Sequence, residues 1–99
     1  MATSKDFMLY VTENLQRAVG GIRTRQMMGE YLVYFAGKLV GFICDNQFLV
    51  KITPSVDIIL PNAVKTYPYE GSKTLMAVVE DFENAELMQN LLSAVAREL

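Results

Sequence analysis

The sequence predicts an α+β, two-layer domain with helices packed on one antiparallel sheet. Three observations predict it. The stretch Arg25–Lys51 contains three apolar runs, separated by Ala36-Gly37-Lys38 and by Asp45-Asn46, and turns that short join only antiparallel neighbours. Apolar residues recur at helical spacing near both ends of the chain. Between the meander and the last such stretch, Thr53-Pro54 opens a short helix.

The elements follow in order. Thr3 and Ser4 are both N-cap candidates, since a hydroxyl can accept from a free backbone N–H, and Asp6 lies in the first turn, where the helix dipole favours a carboxylate. Phe7, Tyr10, Val11, Leu15 and Ala18 form one stripe of this helix, and Gly20-Gly21 ends it. Strands are expected over residues 22–28, 30–36, 39–44 and 47–52. A short helix begins at Pro54 and is stopped by Pro61. Residues 62–73 read mostly as loop, and residues 74–81 as a fifth strand. Asn84 caps a last helix with the stripe Leu87, Met88, Leu91, Leu92, Val95 and Leu99. The expected sheet is therefore five-stranded, with an N-terminal, a short middle and a C-terminal helix.

Both faces of the central strands are apolar. In the second strand Tyr31, Val33 and Phe35 face one way and Leu32, Tyr34 and Ala36 the other. In the third, Leu39 and Ile43 are set against Val40, Phe42 and Cys44. Helices can cover one face, and the other needs loops, the short helix or another subunit. Composition agrees. A 99-residue chain is one domain, and 52% apolar against 20% charged residues suggests an additional buried surface such as a homodimer interface.

Function classes narrow by elimination. The net charge of −2 argues against tight, sequence-independent nucleic-acid binding, although Arg23, Arg25, Lys38 and Lys51 form a modest basic zone in the first half. Glu80, Asp81, Glu83 and Glu86 make the second half acidic. Cys44 is the one cysteine, which fits a reducing, cytoplasmic setting. No apolar run approaches a membrane span, and the N-terminus is too polar for a signal peptide. There is no histidine, no CxxC and no phosphate-binding glycine loop. No cofactor, metal or catalytic group is expected, and Cys44 reads as a packed small hydrophobe. Glu30, beside Gly29, reads as an ion-pair partner of Arg25 or Lys51. The tyrosines and phenylalanines lack the spacing of a base-stacking platform, and the six methionines suit an adaptable core or contact surface.

One ordered set of residues carries more. Arg25, Met27, Gly29, Glu30, Tyr31, Tyr34, Gly37, Lys38, Ile43, Cys44, Asp45 and Lys51, followed by Tyr67-Pro68-Tyr69-Glu70-Gly71-Ser72-Lys73, resembles the N-terminal domain of the TfoX/Sxy family of bacterial competence regulators. The opening Ser4-Lys5-Asp6-Phe7 and the last helix fit as well. Met28 stands where that family usually has phenylalanine, and Asn46 where a second aspartate is common. Its full-length members also carry a second, helical domain with no counterpart in these residues. The resemblance implies a fold similar to type III secretion chaperones, frequent dimers, and modulation of transcription through a protein partner. It points to Arg25, Gly29, Glu30, Tyr31, Asp45, Lys51, Tyr69, Gly71 and Lys73 as a candidate shared surface. Backbone geometry (Gly29, Gly71), core packing (Tyr31) and a turn (Asp45) are the plainer roles for four of these. A chaperone-like or small-ligand-binding dimer is the alternative, prompted by the two-sided apolar sheet.

Overall fold

Ser4 opens the first helix as its N-cap, with Oγ accepting from the Phe7 N–H at 3.1 Å. The computed structural model describes residues 3–99, with the element order α1 (Lys5–Val19), β1 (Arg23–Met27), β2 (Glu30–Phe35), β3 (Lys38–Cys44), β4 (Gln47–Lys51), α2 (Pro54–Ile59), β5 (Lys65–Thr66), β6 (Met76–Val79) and α3 (Ala85–Glu98). The strands form one sheet in the order β1-β2-β3-β4-β6-β5, with every neighbouring pair antiparallel. The architecture is the expected α+β with three helices. The sheet has six strands rather than five, because Lys65-Thr66, inside the expected loop, pairs with β6. Two residues are too short a run for periodicity to announce.

Three two-residue turns set the register. Met28-Gly29, Ala36-Gly37 and Asp45-Asn46 each hold both residues at positive φ, the combination whose twist matches the flanking strands. A β-bulge then corrects one expectation. Val33 pairs with Gly41 and Tyr34 with Leu39, so Val40 is an extra residue in β3. It turns into the helix-side core beside Ile43, not out with Phe42 and Cys44. Gly41 makes the bulge possible. A Cβ there would stand 2.1 Å from the Leu49 carbonyl oxygen on β4.

All three helices cover one face of the sheet. Val11, Leu15, Met88, Leu91, Leu92, Val95 and Val56 bury themselves against Val33, Val40, Ile43, Phe48, Val50, Ala77 and Val79, each large side chain contributing about 1.5–3 kcal/mol by leaving water. The α1 stripe is rotated from the expected one. Met8 is buried and Tyr10 is exposed, because Tyr10 hydrogen-bonds Glu83 and meets Phe82 edge-on, at 5.8 Å between ring centroids. Similarly, Ala94 is buried in α3 whereas Leu99 is exposed.

The caps are divided in an unexpected way. Asn84 caps α3, its Oδ1 accepting from Leu87 N–H at 3.0 Å. Thr53 occupies the N-cap position of α2 but makes no capping bond. Glu98 of α3 caps α2 instead, accepting from the Ser55 N–H at 3.0 Å and from its hydroxyl. These bonds hold the Glu98 carboxyl down at about 2 from an ordinary 4.5.

Two predictions follow from this packing. Gly41→Ala should destabilise the fold by about 3 kcal/mol, read from the urea midpoint, because the new methyl overlaps backbone rather than a movable side chain. Glu98 is depressed, so its stabilisation is complete above about pH 4.5 and drains away as pH falls toward 2. Glu98→Gln should flatten the fall of the thermal midpoint over that window and leave its shape near neutrality unchanged.

Candidate functional site

The face of the sheet turned away from the helices is only partly covered. Strand register puts Arg23, Arg25 and Met27 of β1 on it, with Glu30 and Leu32 of β2, Phe42 and Cys44 of β3, and Leu49 and Lys51 of β4. Leu49, Cys44, Met76 and Val78 pack there as a second, smaller apolar cluster flanked by Phe42. The segment after β5 folds back over the sheet, and the Tyr69 ring rests against Phe42 with centroids 6.5 Å apart. What remains open is a groove of about 880 Å³. Leu32, Phe42, Cys44 and Leu49 form its floor. Met27 and Met28 stand at its lip, residues 66–70 make a wall, and Glu30, Asp45 and Gln47 line it as well.

The acidic residues are held by a polar clasp at the start of the chain. Thr3 is buried. Its N–H donates to the Gly29 carbonyl at 3.2 Å, and its hydroxyl donates to Glu30 Oε2 at 3.0 Å and accepts from the Asn46 N–H at 3.3 Å. The same Glu30 oxygen accepts from the Asp45 N–H at 2.9 Å, and Asn46 Oδ1 accepts from the Ser4 N–H at 3.0 Å. Thr3 and Ser4 thus bind the β1–β2 turn to the β3–β4 turn. Asp45 and Asn46 suit the left-handed turn positions they occupy, as does Gly29. Met28 does not, and its side chain is 95% exposed.

The candidate residues therefore separate. Glu30, Asp45 and Tyr69 line the groove, with Gly29 at its turn. Arg25 and Lys51 share the face but lie outside the lining. Tyr31 contributes to the lining, yet it is buried and counts among the helix-side core. Gly71, at φ 86°, serves a turn closed by the Ser72 N–H on the Tyr69 carbonyl, and Lys73 is an exposed residue just beyond it. Glu30 pairs with neither Arg25 nor Lys51. Among the described residues the ion pair is Lys65–Asp57 at 2.9 Å, and hydrogen bonds from Thr3 and Asp45 take the place of a cation. Sequence reading missed Thr3 and Asn46 as partners, and missed Phe42 in the groove floor and Tyr67 in its wall. The adjoining turn residues Gly29 and Asp45-Asn46 were the available signal, because the register of β2 on β3 puts both turns at one end of the sheet.

Cys44 is on the floor but is a poor nucleophile. Burial, then the charges of Glu30 and Asp45, push its thiol up to about 12. No helix among the described residues is long and apolar enough to cross a membrane, and no group of three or more metal-ligating side chains occurs among them.

Thr3→Val keeps the side-chain shape and removes the hydroxyl. It should cost about 1–3 kcal/mol, because the Asn46 N–H loses its partner and Glu30 Oε2 keeps only the Asp45 N–H. Amide exchange at Asp45 and Asn46 should accelerate relative to β4, and unchanged exchange there would show that the clasp does not hold the two turns together.

No family model matches the chain, and no solved structure matches it. The chain is similar to the "Uncharacterized 12.7 kDa protein in trpE 5'region" of Spirochaeta aurantia, with 32% identity over 99 residues that span 100% of this chain and 85% of that protein. Identity of that extent over the whole length shows common descent, and the chain belongs to the same family as the Spirochaeta aurantia 12.7 kDa protein.

Proposed function

We propose that the chain is a non-enzymatic interaction module that modulates transcription through a protein partner. The open groove carries this reading: an apolar floor, a methionine lip and two half-exposed tyrosines, Tyr67 and Tyr69, on a face that no helix covers. Large apolar side chains left exposed together mark binding surfaces. The resemblance of the Arg25–Lys51 and Tyr67–Lys73 residues to the N-terminal domain of competence regulators supplies the transcriptional part. The state of Cys44, held as a thiol, supports a binding role over nucleophilic chemistry. A cytoplasmic, dimeric protein fits the same reading.

The groove volume, about 880 Å³, also lies within the range of small-molecule sites. This favours a chaperone-like or small-ligand-binding dimer as the second reading. A nuclease-treated affinity pull-down from native cells, followed by mass spectrometry, separates the two. The expected result is a component of the transcription apparatus, recovered with the natural chain and lost with Tyr69→Ser. Recovery of the protein alone, together with unchanged transcription in a deletion strain, would overturn the regulatory reading and favour the ligand binder.

A further inference from the structure

We propose that the groove docks an extended segment of another protein, with large apolar side chains at alternate positions and an arginine or lysine among them. This rests on the interaction-module reading and names the chemistry of the partner.

Charge complementarity selects the occupant. Glu30, Asp45 and Glu70 line the groove, and no lysine or arginine does. The chain has nine basic residues against eleven acidic ones, so this one-sided lining does not follow from composition. Several bases are placed elsewhere: Lys38 donates to the Leu99 carbonyl at 2.7 Å and Lys65 pairs with Asp57. Arg23, Arg25 and Lys51 share the open face but flank the groove, outside its lining. An acidic segment or a nucleic-acid phosphate would set like charge against the three carboxylates. A small cation alone would leave Met27, Met28, Tyr67 and Tyr69 uncovered. An extended segment satisfies both demands, because alternate side chains point to one side and the floor is the surface of a sheet. Tyr67 and Tyr69, half-exposed in the wall, are aromatic partners of the kind a guanidinium or ammonium group takes.

Met28 is the second observation. A left-handed φ of 53° suits glycine or asparagine, and a non-glycine apolar residue there, Met28 or Ala36 in the next turn, costs the fold about 1 kcal/mol; Met28 is the one with a large side chain. At 95% exposure it returns little of that through packing. The side chain stands at the lip, where an adaptable thioether can close over a bound segment.

The test is a selection of displayed random dodecapeptides on the full chain at low salt, followed by fluorescence anisotropy with the recovered peptides. Arginine or lysine should be enriched together with large apolar residues at alternate positions. Glu70→Lys should weaken the selected peptides about tenfold. Met28→Asn should weaken them about fivefold and at the same time raise the thermal midpoint. Enrichment of acidic peptides, absence of charge preference, or no enrichment overturns the proposal. Light scattering that shows a dimer dissolved by Glu70→Lys also overturns it, by giving the groove to a second copy. If a transcription partner is recovered from cells but selected peptides do not compete with it, this proposal fails and the regulatory reading stands. If the peptides bind as expected and cells yield no such partner, the reverse holds.

Discussion

The register of the meander is the constraint on which everything else rests. Strand side chains alternate with a period of two, so a slip of one residue would exchange the faces of a whole strand. Here both faces are apolar, and hydrophobicity alone distinguishes them poorly. The distinction comes from backbone geometry: three turns of two residues at positive φ, and one bulge at Val40. With these in place, Val33, Val40 and Ile43 meet the helices, and Leu32, Phe42 and Leu49 form the floor on the other side. Gly41 is where the constraint is tightest, since β4 backbone occupies the space any side chain would need.

The clasp joins this framework to the groove. Glu30 and Asp45 are structural in one sense, because Thr3 and the Asp45 N–H hold the Glu30 carboxylate. They are also what gives the groove its sign. One set of hydrogen bonds therefore both ties two turns together and keeps negative charge at a partly apolar site, where isolated carboxylates would be costly to hold. The groove needs no separate scaffold, because the two hairpin turns themselves bear Glu30 and Asp45.

Much of the fold was legible because its signals are local. Asn84, Ser4, Gly20 and the short turns act within a few residues, and each stands where it was expected. What failed to show is non-local. Glu98 caps a helix 43 residues earlier in place of Thr53. Val40 changes face because of a bulge that only pairing with β2 creates. Glu30 is satisfied by a hydroxyl 27 residues away instead of a cation. The site was half legible. The residues from Gly29 to Asp45 lie in one continuous meander, so alternation and turns constrain them. The wall from Thr66 to Glu70 reaches the groove by folding back over the sheet, and nothing in Tyr67-Pro68-Tyr69 states which strands it will cross.

The clasp also bears on the order in which the domain is assembled. Thr3 and Ser4 bond to Asn46, more than forty residues downstream, and the apolar stripe of α1 packs on α3, residues 85–98. α1 thus finds its place only through partners that follow it by forty residues or more. Loops of that length close only after local structure has formed. During synthesis the hairpins can form as soon as residues 23–51 are free, while α1 waits with its apolar side uncovered. Until α3 arrives the helix-side face lacks Met88, Leu91, Leu92 and Val95, and the protein is more exposed to wrong association in that interval.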